Sequence, residues 1–236
     1  MKALIVLGDI KMKPISDIRL YRSNIPNIDG NSHPSEFAPK QLNIIVTRIV
    51  MKLRENGFSL GDFDHLYINF TTCLDNEAIE PAKRSVDTYH KWHRYYDVGV
   101  TDECYRNLES VNNVEFVIEQ IKNVLNDYFC TEANCSVEPC IEEALNKGED
   151  MLMLYKSKQT FKRKADIYLQ LLDNGMYCPN LFVYDEDGAE LLHQKLPCTF
   201  DLMSLGEIQL SNKKVVVKPR KNSLASQLEP VEFELR

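Results

Sequence analysis

The segment from Tyr89 to Tyr96 is the part of the chain richest in side chains that could do chemistry. It contains the single tryptophan and two of the five histidines. On a helix, His90 and His93 would share a face, because residues three apart are neighbours there. Such a pair could bind a metal with a third ligand from elsewhere, or act as an acid–base pair.

The same segment also fits two simpler interpretations. It could be the end of an amphipathic helix with its aromatic rings packed inward, which we favour because short motif matches are only hypotheses. It could also be a protein-binding surface, since Trp, Tyr and Arg are the usual hot-spot residues of interfaces. The contact residues would then be Trp92, Arg94, Tyr95 and Tyr96.

Cys73 is the cysteine best placed for nucleophilic chemistry, since it follows a predicted strand. A catalytic cysteine needs its pKa lowered by a nearby histidine or a helix N-terminus. His65 would lie about 26 Å away on the same extended strand, so only His33, His90 or His93 could be the partner. We expect no catalytic residue unless the fold brings such a partner to Cys73.

Seven cysteines, an odd number without a C-x-x-C pair, indicate free thiols in a reducing compartment. Cys130, Cys135 and Cys140 are evenly spaced and could bind zinc together with Cys104. Structural zinc sites instead pair two knuckles whose ligands are two to four residues apart. We therefore expect small buried hydrophobic side chains here, and neither a metal nor a cofactor.

The common nucleotide and hydrolase motifs are absent from the sequence. It contains no G-x-G-x-x-G, P-loop or G-x-S-x-G, and only nine glycines. Asp185-Glu186-Asp187-Gly188 resembles part of a calcium loop, but the twelve-residue EF-hand pattern is missing. This tetrapeptide predicts a hairpin turn.

The acidic excess of the chain is concentrated in one segment. Residues 101–150 carry 3 basic and 12 acidic side chains, whereas residues 1–100 and 151–236 each have a balance of +1. This distribution opposes nucleic-acid binding, which needs clustered Lys and Arg, and favours a basic protein partner. The candidate contact residues are Glu115, Glu119, Glu142 and Glu143.

Apolar periodicity predicts helices over 36–56, 113–129 and 137–147, and Pro81 could open a further helix through Tyr96. Ser35 is the expected cap of the first helix, and Gly57 its expected end. Strands are predicted at 2–7, 18–21 and 65–74.

After residue 150 the pattern changes to short strands separated by turn residues. Antiparallel strands are predicted at 151–155, 167–172, 180–184, 190–195, 206–210, 214–218 and 231–235. The expected fold is α+β, with a helix-rich N-terminal half that includes a short first strand, and an antiparallel β-rich C-terminal half. The boundary would separate 1–148 from 149–236, unless both parts form one continuous domain.

The composition is that of a globular protein, with 44% hydrophobic and 27% charged residues. No apolar run approaches the length of a membrane span, and residues 3–7 are too short for a signal-peptide core. We therefore expect a cytoplasmic protein without membrane contact.

These observations favour a non-enzymatic protein-binding module whose acidic helical face neutralises a basic partner. In general character, though in no motif, the chain resembles bacterial immunity proteins of toxin–immunity pairs. One alternative is a hydrolase or transferase with a dispersed His, Cys and acidic site. The other is a structural subunit that forms an oligomer through the 36–56 helix or the terminal strands.

Overall fold

The computed structural model describes most of the chain, in five stretches: residues 13–37, 39–83, 93–131, 135–225 and 227–235. The chain divides into two compact units, residues 1–142 and 143–236, and the division falls inside a helix. Whether residues 1–148 and 149–236 fold independently stays a prediction.

Five strands of the first unit form one sheet in the order β2-β1-β3-β5-β4. The strands are β1 (Asp17–Ser23), β2 (Ser35–Glu36), β3 (His65–Thr71), β4 (Ile79–Pro81) and β5 (His93–Gly99). β1, β3 and β5 run parallel, and the short strands β2 and β4 are antiparallel to their neighbours. The carboxyl ends of the three parallel strands therefore lie along one edge of the sheet.

The described residues form four α-helices: α1 (Lys40–Glu55), α2 (Asp102–Asn107), α3 (Val114–Phe129) and α4 (Val137–Lys147). The apolar stripe of α1 is buried in the core of the first unit, where Leu42, Ile49 and Leu53 are at most 1% exposed. α3 packs on the sheet through aromatic contacts, with the Phe116 and Phe70 ring centroids 6.4 Å apart.

The predicted helix-rich N-terminal half is wrong. Up to residue 100, the described chain contains five strands and one helix, and the other three helices lie in the middle of the chain. The main error is the helix predicted from Pro81 to Tyr96, because Pro81 belongs to β4 and β5 begins at His93. Aromatic residues such as Tyr95 and Tyr96 suit a strand when a neighbouring strand is available for pairing.

Other predicted elements of the first unit are confirmed. Helices are present at the predicted 113–129 and 137–147, and strands at 18–21 and 65–74. The helix predicted over 36–56 begins later, because its N-cap is Pro39, while Ser35 belongs to β2. Gly57 follows this helix with a φ of 73°, as expected for a residue that ends a helix. The strand predicted at 2–7 lies outside the described residues.

The second unit contains only antiparallel pairs among its described strands, as predicted. The strands are β6 (Met153–Gln159), β7 (Arg163–Leu171), β8 (Tyr177–Asp185), β9 (Glu190–Lys195), β10 (Glu207–Leu210), β11 (Lys214–Lys218) and β12 (Val231–Glu234). They form a four-stranded sheet, β6-β7-β8-β9, and a separate three-stranded sheet, β10-β11-β12.

The turn predicted at Asp185–Gly188 is present, and a second turn joins β7 to β8. Between β7 and β8, Gly175 has a φ of 90°, and its N–H donates to the Leu172 carbonyl at 2.8 Å. Between β8 and β9, the Asp185 carboxylate accepts the backbone N–H groups of Asp187 and Ala189. A side chain that satisfies the turn in this way explains the acidic residues there without calcium.

The apolar face of the four-stranded sheet forms the core of the second unit. Ala165, Ile167 and Leu169 alternate along β7 and are all 0% exposed. The Lys156 ammonium, at the edge of this sheet, donates to the Gly206 carbonyl just before β10. No described helix of either unit is long and apolar enough to cross a membrane.

Candidate functional site

The carboxyl edge of the parallel strands is the first place to look for a site. In open α/β sheets, ligands usually bind outside the carboxyl ends of the strands. A cavity of about 170 Å³ lies there in the first unit, lined by Asn27, Thr71, Cys73, Lys83 and Asp97 among others. It is smaller than the roughly 300–1,000 Å³ of typical ligand pockets, so it could hold only a small group.

One face of this sheet is polar, and its buried centre adjoins the cavity. The register places Tyr21, Asn69 and Asp97 side by side, so that their side chains share a face. The Asp97 carboxylate accepts the amide of Asn69 at 2.7 Å and that of Asn27 at 3.3 Å. Asn27, Asn69 and Asp97 are at most 9% exposed. The hydrogen bonds offset part of the cost of burying them, since Asn69 Oδ1 has no partner among the described residues.

The loop after β3 fixes the position of Cys73. The backbone N–H of Cys73 donates to the Thr71 hydroxyl. Four residues later in the same loop, Glu77 adopts a φ of 64°. A Cβ on Gly99 would lie 1.8 Å from the Asp75 carbonyl oxygen, so the loop can rest on β5 only because residue 99 is glycine. The sequence prediction overlooked Asn27, Asn69, Asp97 and Gly99, whose roles depend on strand register.

His93, one of the histidines considered as a partner of Cys73, is not brought together with it. His93 pairs with His65 at the amino end of β5, whereas Cys73 follows the carboxyl end of β3, six residues or roughly 20 Å further along the strands. The His65 ring is 2.7 Å from the Asp64 carboxylate. His90 and Trp92 lie outside the described residues. Cys73 thus has no general base in either of these two histidines, and hydrolase chemistry gains no support.

The predicted aromatic surface is divided between the two faces of the sheet. The Tyr95 ring packs 4.9 Å from that of Tyr67 on the polar face. On the other face, Tyr96 packs 4.6 Å from Tyr128 of α3, and the Arg94 guanidinium lies 4.9 Å from the Phe63 ring centroid. Strand alternation separates these neighbours, so they do not form one continuous patch.

The cysteines proposed as zinc ligands are arranged otherwise. Cys130 and Cys135 form a disulfide, as do Cys178 and Cys198 in the second unit, so the prediction of seven free thiols is wrong. Cys140 is 2% exposed and accepts the Asn56 amide at 3.3 Å. Burial raises the pKa of the half-buried Cys104 thiol on α2. The described residues contain no group of three or more His, Cys, Asp or Glu arranged to hold a metal.

The acidic residues predicted for partner binding lie on α3 and α4, largely in water. Glu115, Glu119 and Glu142 are exposed, and Glu143 is half-buried. We call Glu115, Glu119, Glu138 and Glu142, which all belong to the first unit, the acidic helical face. Among the described residues, Glu115 and Glu142 make no ion pair within 4 Å, whereas Glu119 binds Lys122 and Glu143 binds Lys147, each at 2.8 Å.

Lys122 shows how closely α3 and α4 bring their carboxylates. Its ammonium binds Glu119 and lies 4.0 Å from Glu138 of α4. The hydrogen bond to Glu119, and then the charges of Glu119, Glu138 and Glu142, raise the pKa of Lys122. One cation is therefore shared among three carboxylates, and negative charge remains in excess around it.

Comparisons with protein-family models, with curated proteins and with solved structures find no match to this chain. Function must therefore be argued from the geometry of the chain itself.

Proposed function

We propose that the protein is a non-enzymatic binding module of the immunity or antitoxin type, which neutralises a basic protein partner through the acidic helical face. The observation that carries this proposal is the arrangement around Lys122, where two helices present three carboxylates to a single cation. A cationic side chain of a partner would reduce this local excess of negative charge. Complementary charge speeds encounter and selects the partner.

A separate apolar contact is available at the end of α3, where about 100° per residue turns Tyr128 to the opposite side of the helix from Glu119. Tyr128 near the end of α3 is 38% exposed, and its hydroxyl donates to the Ile79 carbonyl at 2.7 Å. It rests against Tyr96, one of the residues predicted for partner contact. Burial raises the pKa of Tyr128, so its hydroxyl remains a neutral donor at physiological pH. A held tyrosine of this kind is a typical interface anchor.

The two alternatives receive less support from the geometry. An enzyme would need a base near Cys73, and neither His65 nor His93 is close to it. An oligomer through the apolar stripe of α1 would need an exposed stripe, but Leu42, Ile49 and Leu53 are buried within the unit.

We also propose the cytoplasm as the place of action, and the disulfides make this part of the proposal testable. Disulfides are rare in the cytosol, where glutathione and thioredoxin keep thiols reduced. The disulfides of the structure oppose this location, because Cys130 and Cys178 would be held as thiols in that compartment.

The experiment compares two variants of equal net charge in binding to basic probe proteins, lysozyme and cytochrome c. The face variant carries Glu115→Lys and Glu142→Lys, and the control carries Glu229→Lys and Glu234→Lys, which are also exposed. At about 20 mM salt, where screening is weak, we expect wild-type binding to weaken about tenfold in the face variant and less than twofold in the control.

Equal weakening in the two variants would show that only net charge matters, and the proposal would fall. It would fall equally if neither basic probe bound the wild-type protein at low salt. Circular dichroism of both variants confirms that they are folded before binding is compared.

A further inference from the structure

The outer face of the four-stranded sheet carries aromatic rings on adjacent strands. The Phe182 ring on β8 lies 5.6 Å from Tyr168 on β7, 6.3 Å from Tyr184 and 4.1 Å from His193 on β9. We call these four residues the aromatic sheet face. Their side chains share one side of the sheet, while Ala165, Ile167 and Leu169 fill the core on the other.

A carboxylate with an unused hydrogen-bond acceptor lies within this face. Asp166 stands directly opposite Phe182 in the register, and its side chain is only 1% exposed. One oxygen, Oδ2, accepts the Lys164 ammonium at 2.7 Å. The other, Oδ1, is buried and has no hydrogen-bond partner among the described residues. Buried acceptors are nearly always satisfied, so this oxygen points to a missing donor.

A cavity of about 400 Å³ lies at the hairpin end of the aromatic sheet face, within the usual size of ligand pockets. Asp166, Lys164, Tyr168 and Tyr184 line it together with Phe161, whose ring is 91% exposed at the tip of the β6–β7 hairpin. The cavity thus combines aromatic rings with a buried acceptor that lacks a donor, and the buried Nε–H of Arg163 in its lining lacks an acceptor among the described residues.

The ligand must be flat, must donate a hydrogen bond and must tolerate cations nearby. A purely cationic ligand would meet Lys164 and Arg163, which line the cavity together with Asp185 and Glu186. A nucleobase stacks on aromatic rings, offers N–H donors on its Watson–Crick edge, and is attached to a phosphate that attracts lysines.

We propose that this cavity binds a nucleobase, whose N–H group donates to Asp166 Oδ1 while its ring stacks on Tyr184. Entry requires the Lys164 side chain, 42% exposed and flexible, to turn away from Asp166. The released ammonium is then available to the phosphate of the ligand. The acidic segment 101–150, which opposes nucleic-acid binding, contributes no residue to the lining of this cavity.

Two sources share this chemistry: a free nucleotide and a single strand of nucleic acid. The full-length protein is titrated with the four ribonucleoside monophosphates, with ribose 5-phosphate, and with a labelled single-stranded RNA of mixed sequence. We expect saturable mononucleotide binding below about 5 mM and none to ribose 5-phosphate. If the RNA binds at least tenfold more tightly than the mononucleotides, the ligand is a single strand. If the affinities are similar, the ligand is a free nucleotide. Both outcomes support the site.

Matched variants test the contacts. Asp166→Ala removes the acceptor, and the control Asp173→Ala removes an exposed aspartate just beyond the other end of β7. We expect at least tenfold weaker binding in the first and less than twofold change in the second. If Asp166→Ala fails to fold, Tyr184→Leu, which removes a half-exposed ring, is expected to weaken binding at least fivefold.

The proposal is overturned if ribose 5-phosphate binds as well as the nucleotides, if no mononucleotide binds, or if Tyr184→Leu leaves binding unchanged. These outcomes do not bear on the acidic helical face, because no residue is shared between the two sites.

Discussion

The two larger sheets of this protein each have one apolar and one polar face, and they use the polar face in different ways. In the first unit, Asn69 is fully buried and donates to the Asp97 carboxylate, while its own Oδ1 atom has no partner among the described residues and lies outside the lining of the adjoining cavity. In the second unit, the corresponding face presents half-exposed rings around Asp166, whose Oδ1 atom has no partner among the described residues. An unsatisfied polar atom becomes a place where a ligand can bind when a cavity reaches its side chain, as it does at Asp166 and not at Asn69.

The largest expected effect concerns Gly99, which allows the loop after β3 to rest on the parallel sheet. Gly99→Ala would place a Cβ 1.8 Å from the Asp75 carbonyl oxygen, and we expect it to lower the free energy of unfolding by about 4 kcal/mol or more. The control in the second unit is Gly175→Ala, where space is open and only a φ of 90° opposes the change. Gly175→Ala should lower the free energy of unfolding by about 1–2 kcal/mol. Urea unfolding of both variants measures the difference, and equal losses would contradict this account of Gly99.

The disulfides, one in each unit, should differ in their contribution to stability. Cys178–Cys198 closes a sequence separation of 20 residues and Cys130–Cys135 one of 5. From loop-closure entropy, replacing the first pair by serines should cost about 3 kcal/mol and replacing the second about 2 kcal/mol. Denaturant unfolding of the oxidised protein tests the order, and a larger loss from the short loop would reverse it.

Cysteine alkylation in intact cells addresses where the disulfides form. Seven alkylated cysteines would support the proposed cytoplasmic location, since the chain contains seven in all. Alkylation of only Cys73, Cys104 and Cys140, the free cysteines of the structure, would contradict it.

The smallest expected effect is alkaline destabilisation through the tyrosines. Burial raises the pKa of Tyr21 and Tyr67 in the first unit and of Tyr184 in the second. The unfolded chain ionises near pH 10, before the folded one, so this stability is fully present below about pH 10 and is lost as the pH rises through the folded values. Ultraviolet titration of phenolate should show later ionisation in the native protein than in denaturant.

Tyr67→Phe should remove one late-ionising group, and Tyr184→Phe should remove a different one. If the phenolate titration curves of the native and the denatured protein coincide, these tyrosine rings are not buried in solution.

Local sequence signals predicted the elements whose pattern is self-contained. The stripe of α3, the turn before Gly188 and the short strands after residue 150 all follow from spacing within a few residues. The parallel sheet could not be predicted in this way, because each of its strands is stabilised by pairing with a strand that is distant along the chain. β3 begins 42 residues after β1 ends, and β5 begins 22 residues after β3 ends. An aromatic strand such as β5 has no helical or strand preference strong enough to identify it alone.

The candidate sites show the same limit. Glu115, Glu119 and Glu142 of the acidic helical face were candidates from the sequence, because the acidic excess is concentrated in residues 101–150. Asp97 and Asp166 were not predicted, because each depends on partners from neighbouring strands or loops, Asn27 and Asn69 for the first and Phe182 for the second. In a sequence, a buried aspartate within a strand appears only as an irregularity in the alternation of apolar and polar residues.

The turn between β7 and β8 also bears on how the protein ages chemically. Asn-Gly sequences deamidate readily when the glycine nitrogen can attack the asparagine side-chain carbonyl. Here the Gly175 N–H is bound to the Leu172 carbonyl, and the Asn174 side-chain oxygen accepts the Met176 N–H at 2.8 Å. With both reacting groups held, the folded turn protects Asn174, so that the accumulation of isoaspartate at this position would record how long the chain has spent unfolded.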